Sequence, residues 1–259
     1  MTRGSLALLV LAALATEACT AAPVNVGESP EMLWWTDHET GDLSDWTRDG
    51  GGTWTSLGGA LELVSSPVRS GRYALRSSVT SNSESVQSAG IGIRQGVMPS
   101  EACYSAWYFV PTAVMTSSFW LIFKFRSRTV AEQPASDVDM WDLDVVPGGS
   151  GNFVLSLYRH DREEALTSSA PNVPVGRWFQ LEACLLARSD NTGYLGVWLD
   201  GERAFELNAQ LTMPSQYVEW NVGSIAEAIT PTSASLYVDD AAISTRRLGP
   251  DYPVFWRAP

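Results

Sequence analysis

Two short runs carry the side chains best suited to chemistry. In SFWLIFKFRSR, strand alternation puts Trp120, Ile122, Lys124, Arg126 and Arg128 on one face and Leu121, Phe123 and Phe125 on the other. Three cations in line stand out in a chain whose net charge is −12. Guanidinium groups bind carboxylate or sulfate bidentately, and an indole such as Trp120 covers the face of a sugar ring. In NFVLSLYRHD, Tyr158 and His160 share a face with Val154 and Ser156, which makes them a candidate acid/base pair. In DVDMWDLDVV, Asp139, Trp141 and Leu143 alternate with Met140, Asp142 and Asp144, and Trp141 is a second candidate for sugar stacking. A solvated outer face would carry the same charges without a ligand, and a lone histidine in a strand often only packs.

The chain around these runs bounds what they can do. The opening MTRGSLALLVLAALATEACTAAP has a basic residue, Arg3, then an apolar run over 5–15, then small residues. That is an export signal occupying 1–22, too short to span a membrane. Ala18-Cys19 resembles the end of a bacterial lipoprotein signal, with Cys19 as the lipidated residue; ordinary cleavage near Ala21 or Ala22 is the alternative. The expected location is therefore outside the cytoplasm, either free or anchored to the cell surface through Cys19. Without Cys19 the chain keeps Cys103 and Cys184, an even pair in an oxidising compartment, so a disulfide is expected; two buried free thiols are the competing reading. The acidic surface repels polyanions at long range, which counts against nucleic acid. HExxH, CxxC, P-loop, GxGxxG and GxSxG motifs are all absent from the sequence.

Helical periodicity is nearly missing. Short alternating or apolar runs recur between Gly, Pro, Ser, Asn and Asp, as in an all-β sandwich. Strands are predicted over 32–38, 46–55, 60–65, 72–79, 88–95, 102–110, 119–128, 138–146, 152–160, 177–187, 194–200, 203–207 and 235–245. Leu199-Asp200-Gly201-Glu202 reads as a tight hairpin, and polar loops are expected at 80–87, 129–137 and 224–234. No composition break marks a second domain, so residues 30–259 are read as one domain, expected to be a monomer.

The succession DHETGDLSDW, SGRYALRSSV, ACYSAWYFVP, VPVGRWFQLEACL, GVWLDGERAFEL and LYVDDAAIS resembles concanavalin-like, laminin-G-like jelly rolls, in particular the branch holding heparin-lyase-type polysaccharide lyases. The resemblance implies two curved antiparallel sheets with ligands on the concave face, and first and last strands side by side. It also implies a structural calcium held by Glu39, Asp239 and backbone at Gly41; turn chemistry by Asp42 and Asp45 is the alternative. Because neighbours in a strand face opposite ways, only one of Asp239 and Asp240 is expected to point at such an ion. His38, in the same opening strand, is read as packing, and Trp107, Trp178 and Trp198 as core.

Toward function, the resemblance implies recognition of an extracellular, acidic polysaccharide and, if catalytic, β-elimination. Such a lyase neutralises a uronate carboxylate, removes the proton at C5 and protonates the departing oxygen. Lys124 and Arg126 are the candidates for the first task, and Tyr158 and His160 for the proton transfers, with Trp120, Arg128 and Trp141 binding glycan. The glutamine-plus-histidine signature of the better-defined lyases is not found, and Gln133 falls in a loop. Two other readings stand beside this one. The domain can be a non-catalytic carbohydrate-binding or adhesion module, or a glycoside hydrolase using Asp137 and Asp142, which have the spacing of an ExDxxE motif with aspartate in place of glutamate.

Overall fold

In the computed structural model, which describes residues 29–81, 83 and 87–252, the chain is almost entirely antiparallel β. It opens with β1 (Met32–Thr36), a one-turn helix α1 (Ser44–Thr47), β2 (Gly52–Thr55), β3 (Ala60–Val64), β4 (Ala74–Thr80), β5 (Ser88–Val97) and β6 (Glu101–Phe109). Next come the short β7 (Met115–Thr116), β8 (Trp120–Arg128), β9 (Asp137–Pro147), β10 (Phe153–Arg159), β11 (Glu164–Asn172) and β12 (Trp178–Leu186). The last are β13 (Gly193–Leu199), β14 (Glu202–Gln210), β15 (Tyr217–Ala226), the short β16 (Ile229–Thr230) and β17 (Ser233–Ser244). The export signal and Cys19 lie outside the described residues, as do residues 253–259. No helix among the described residues is long and apolar enough to cross a membrane.

Two large sheets face each other, as expected for an all-β jelly-roll sandwich. One has the order β14-β13-β12-β6-β17-β4-β3, with β1 also on β17; the other runs β11-β10-β9-β8-β15-β5-β2. First and last strands do lie side by side, Trp35 opposite Ala242. Between the sheets sits one large apolar cluster in which Trp46, Trp120, Trp141, Trp220, Tyr104, Tyr108, Phe123, Phe125 and Phe179 are fully buried. Burying side chains of this size is the main drive for the two sheets to close on each other.

Several sequence expectations are met. Asp200 and Gly201 both have positive φ, 50° and 79°, the backbone of a tight two-residue hairpin whose right-handed twist suits β13 and β14. Cys103 and Cys184 are direct partners in the β6–β12 ladder and form a disulfide. Other expectations are corrected. Residues 44–47 form a helical turn where a strand had been predicted to begin, and β11 and β15 were not predicted at all. Trp107, Trp178 and Trp198 are not in the core; they lie half-buried on the far side of the larger sheet, with Arg69 over Trp107 at 3.8 Å and Arg247 over Trp198 at 4.0 Å.

Candidate functional site

The outer face of the second sheet carries one continuous row of side chains. Reading across the ladder, Tyr158 of β10 is opposite Asp142 of β9, Asp142 opposite Lys124 of β8, Lys124 opposite Asn221 of β15, and Asn221 opposite Ile93 of β5. Along this row runs an open groove. Its larger part, about 590 Å³, is lined by Lys124, Asp142, Asp144, Ser156, Tyr158 and His160 among others. A smaller part, about 360 Å³, continues over Lys124 and Arg126 to Asn221 and Trp54. Leu121, Ile225, Ile91 and Ala89 form a small apolar cluster on this same outer face, with Ile93 and Phe119 packed against it.

Lys124 and the proposed proton-transfer pair meet in this groove, joined by one carboxylate. His160 Nε2 is 2.9 Å from Asp142 Oδ2, and Lys124 Nζ is 3.4 Å from Asp142 Oδ1 and 3.1 Å from Asp139 Oδ2. The Asp142 carboxylate favours a proton on Nε2, which leaves the lone pair of Nδ1 as the basic site of the ring. The Tyr158 ring stands edge-on to the His160 ring with centroids 5.0 Å apart.

The remaining cations are already partnered. Arg126 Nε donates to Asp139 Oδ1 at 2.7 Å and its Nη1 to Glu219 Oε1 at 3.1 Å. Burial works against its charge and these carboxylates outweigh that, so the guanidinium's pKa is raised. Arg128 Nε donates to Asp137 Oδ1 at 2.7 Å, and the guanidinium lies over Tyr217 at 3.8 Å. Asp137 is thus held by arginine and does not line the groove that Asp142 lines, so the pair proposed for hydrolysis is not brought together across it.

Both tryptophans expected to stack on sugar are corrected: Trp120 and Trp141 are 0% and 1% exposed, in the core. The reason is a pair of β-bulges. Register slips between Leu121 and Phe123, so Ile122 and Phe123 both point inward and the alternation predicted for β8 inverts upstream of them. It slips again opposite Phe125 and Arg126, so Met140 and Trp141 both turn inward and Asp139 joins Asp142 and Asp144 on the groove side. The Trp120 and Trp141 indoles donate instead to Ser224 Oγ at 2.8 Å and to the Thr212 carbonyl at 2.9 Å. The tryptophan that does line the groove is Trp54, 45% exposed at the edge strand β2. In the sequence only the neighbouring Gly-rich run over 50–52 marks it. Asn221 and Glu219 were missed with β15 itself.

The acidic cluster near the termini, where calcium is expected, gathers around the loop over 69–73. Asp239 Oδ2 accepts the backbone N–H of Arg69 at 3.0 Å and of Ser70 at 3.3 Å, while Glu39 Oε1 accepts those of Arg72 at 2.7 Å and Tyr73 at 2.9 Å. Gly71, with φ +60°, has no Cβ because the Glu39 carboxyl occupies that space: an added Cβ would fall 2.4 Å from Oε1. Asp240, expected to face away from Asp239, bonds Arg69 Nη1 at 2.6 Å and Ser70 Oγ at 3.1 Å. Its φ of 46° and the register slip from Asp239 to Ala242 turn both carboxylates to the same loop. Gly41, at φ 77°, closes a turn by donating to the His38 carbonyl at 3.1 Å. One oxygen of Asp239 and one of Glu39 thus take N–H donors of the loop over 69–73, and the Arg69 guanidinium pairs with Asp240. No group of three or more His, Cys, Asp or Glu side chains suited to a metal occurs among the described residues. His38 is fully buried, accepting from the Trp46 indole at 3.1 Å on Nε2, with Nδ1 3.6 Å from Asp239 Oδ1; it packs, as expected.

The sequence matches no family model and no curated protein. Solved structures do match by shape. An endo-β-1,4-glucuronan lyase from the fungus Trichoderma reesei superposes with a TM-score of 0.63 at 17% identity, over 83% of this chain and 96% of that one. A cellulose-induced protein, Cip1, gives 0.56 at 16% identity over 83% and 98%. A carbohydrate esterase of the Shiga toxin-encoding bacteriophage phi24B gives 0.52 at 11% over 85% and 100%. At such identities the comparison establishes the architecture: the chain has the jelly-roll fold of these proteins.

Proposed function

We propose that the protein is an exported polysaccharide lyase that binds an acidic glycan along the groove and cleaves it by β-elimination. The observation that carries this reading is the convergence of Lys124, Tyr158 and His160 on one open groove, with Asp142 orienting the histidine. In the reaction, a base takes the proton from C5 of a uronate. The C4–C5 double bond forms as the C4–O4 bond breaks, and O4 leaves with its electron pair and receives a proton from an acid. His160 and Tyr158 divide the two proton transfers, and Lys124 with Asn221 faces the charge that develops on the carboxylate. The shape match to a protein named as a glucuronan lyase supports the choice of reaction, and the disulfide supports an oxidising location.

The test is ultraviolet absorbance of the mature protein with glucuronan, alginate, pectate and hyaluronan. A rise from the unsaturated product, abolished in His160→Ala and Tyr158→Phe, is expected with at least one of them. A folded protein that produces no rise with any of them, yet binds one, would leave a non-catalytic carbohydrate-binding module as the function.

Trp54 is assigned to a sugar ring one or two units from the cleavage point. A sugar covering roughly 60 Å² of indole is worth about 1.5 kcal/mol, about tenfold in affinity. Trp54→Ala is therefore expected to raise KM about tenfold and leave kcat within twofold; a drop confined to kcat would remove Trp54 from substrate binding.

A further inference from the structure

Recognition of the substrate carboxylate asks for more than Lys124 and Asn221. Lys124 and Arg126, the cations that face the groove, are engaged by carboxylates, Lys124 by two and Arg126 by three, and Gln87 lines both parts of the groove. Another side chain in the same groove is built for the task. Asp144 lines the groove next to Asp142, opposite Ser156 on β10 and Leu121 on β8. It is 8% exposed; its Oδ1 is shielded from solvent and has no hydrogen-bond partner, so contact with a ligand falls to Oδ2. A buried carboxylate with an unanswered oxygen is costly, whereas the neutral acid at the same place is a hydrogen-bond donor in search of an acceptor.

We infer that Asp144 is held as the neutral acid and donates its proton's hydrogen bond to the carboxylate of the bound glycan, selecting an acidic sugar for that position. This rests on the polysaccharide reading and names the group that recognises the charge. Every titratable neighbour facing Asp144 is accounted for. Asp142, on its own strand, raises its carboxyl; Lys124 from β8 and His160 from β10 lower it. Tyr158 from β10 and Asp139 from β9 are the other titratable side chains that line this part of the groove, where β15 presents only Ile225. Burial is the largest influence and pushes Asp144 up to about 7. Below that pH the group donates; above it, a carboxylate would meet the carboxylate of the ligand.

The experiment is calorimetric titration with β-1,4-linked glucuronate tetramers at pH 6 and pH 8, on the wild type and on Asp144→Asn and Asp144→Ala. Wild-type affinity is expected to fall about tenfold between the two pH values, following the fraction of neutral acid. Asp144→Asn, whose amide donates at any pH, is expected to bind as the wild type does at pH 6 and to keep that affinity at pH 8. Asp144→Ala is expected to bind weakly at both. Wild-type affinity that does not change with pH, or an asparagine variant as weak as the alanine one, overturns the inference while leaving the lyase reading in place. Absence of tetramer binding by a wild type that cleaves another uronate polymer would overturn the inference for glucuronate. Absence of both binding and cleavage would overturn the lyase reading together with it. A carboxyl ¹³C titration of Asp144 gives a readout free of ligand: a midpoint below about 5 would show a carboxylate at neutral pH and overturn the inference by itself.

Discussion

Replacing both Cys103 and Cys184 by serine is expected to remove about 4.5 kcal/mol of stability, the loop-closure entropy of a chain segment this long. The cysteines are 81 residues apart in sequence and opposite each other in one ladder. Their strands are paired without a register break from Trp178–Phe109 to Leu186–Glu101, so the folded sheet holds its shape without the sulfur bridge. The loss therefore falls on the unfolded chain, which gains the freedom of a loop enclosing β7 through β11. That loop contains Lys124, Asp142, Tyr158 and His160, half of the groove. Guanidinium unfolding of the double serine variant, compared with the oxidised wild type, measures the effect. An unchanged midpoint would mean that the unfolded chain already keeps β6 and β12 together.

Arg69→Met is the second large effect, expected to cost about 3–5 kcal/mol at pH 8, the usual penalty for stripping one partner from a buried ion pair. Asp239 is fully buried and Asp240 nearly so; the Arg69 guanidinium pairs with Asp240 and lies over the Trp107 ring, while the Arg69 backbone N–H donates to Asp239. Burial and then the Asp239 charge push Asp240 up to about 6, above its ordinary 3.8, with Arg69 holding it down. A raised folded pKa means that the folded protein takes up a proton as pH falls through this range, so the stability linked to Asp240 is present in acid and lost as pH rises through about 6. Removing Arg69 raises that carboxyl further. The penalty should then be large at pH 8 and mostly recovered at pH 5, where Asp240 is protonated. A penalty equal at both pH values would assign the loss to packing on Trp107 instead.

Alternation revealed the fold class and half of the groove, and its failures have one cause. Along β10, and along β8 after Phe123, the period of two is unbroken, and Tyr158, His160, Lys124, Arg126 and Arg128 point where sequence places them. At Ile122–Phe123 and Met140–Trp141 an extra residue is absorbed, and every inference drawn across the bulge inverts, which is why Trp120 and Trp141 were assigned to sugar and belong to the core. In strand β15 only Val218–Val222 alternate, before Gly223 and Ser224 break the pattern, and its polar residues Glu219, Asn221 and Ser224 are buried nonetheless. The same pairing of buried polar groups concealed Asp144. Its neighbours in space come from β8 and β10, and no local pattern tells a buried acid from a solvated one. The disulfide was legible because a count and a compartment suffice for it.

The self-matched charges of the groove have a consequence for how the protein meets its surroundings. Each arginine and the single lysine on this face can engage a glycan only by exchanging one carboxylate for another, so the electrostatic gain is a difference between two similar contacts. Few free counterions are released in such an exchange, and binding should respond weakly to ionic strength. A stray polyanion gains nothing from the face, since it offers charge without the shape to displace Asp139, Asp142 or Glu219. A protein of this design would work alike in dilute and in briny water.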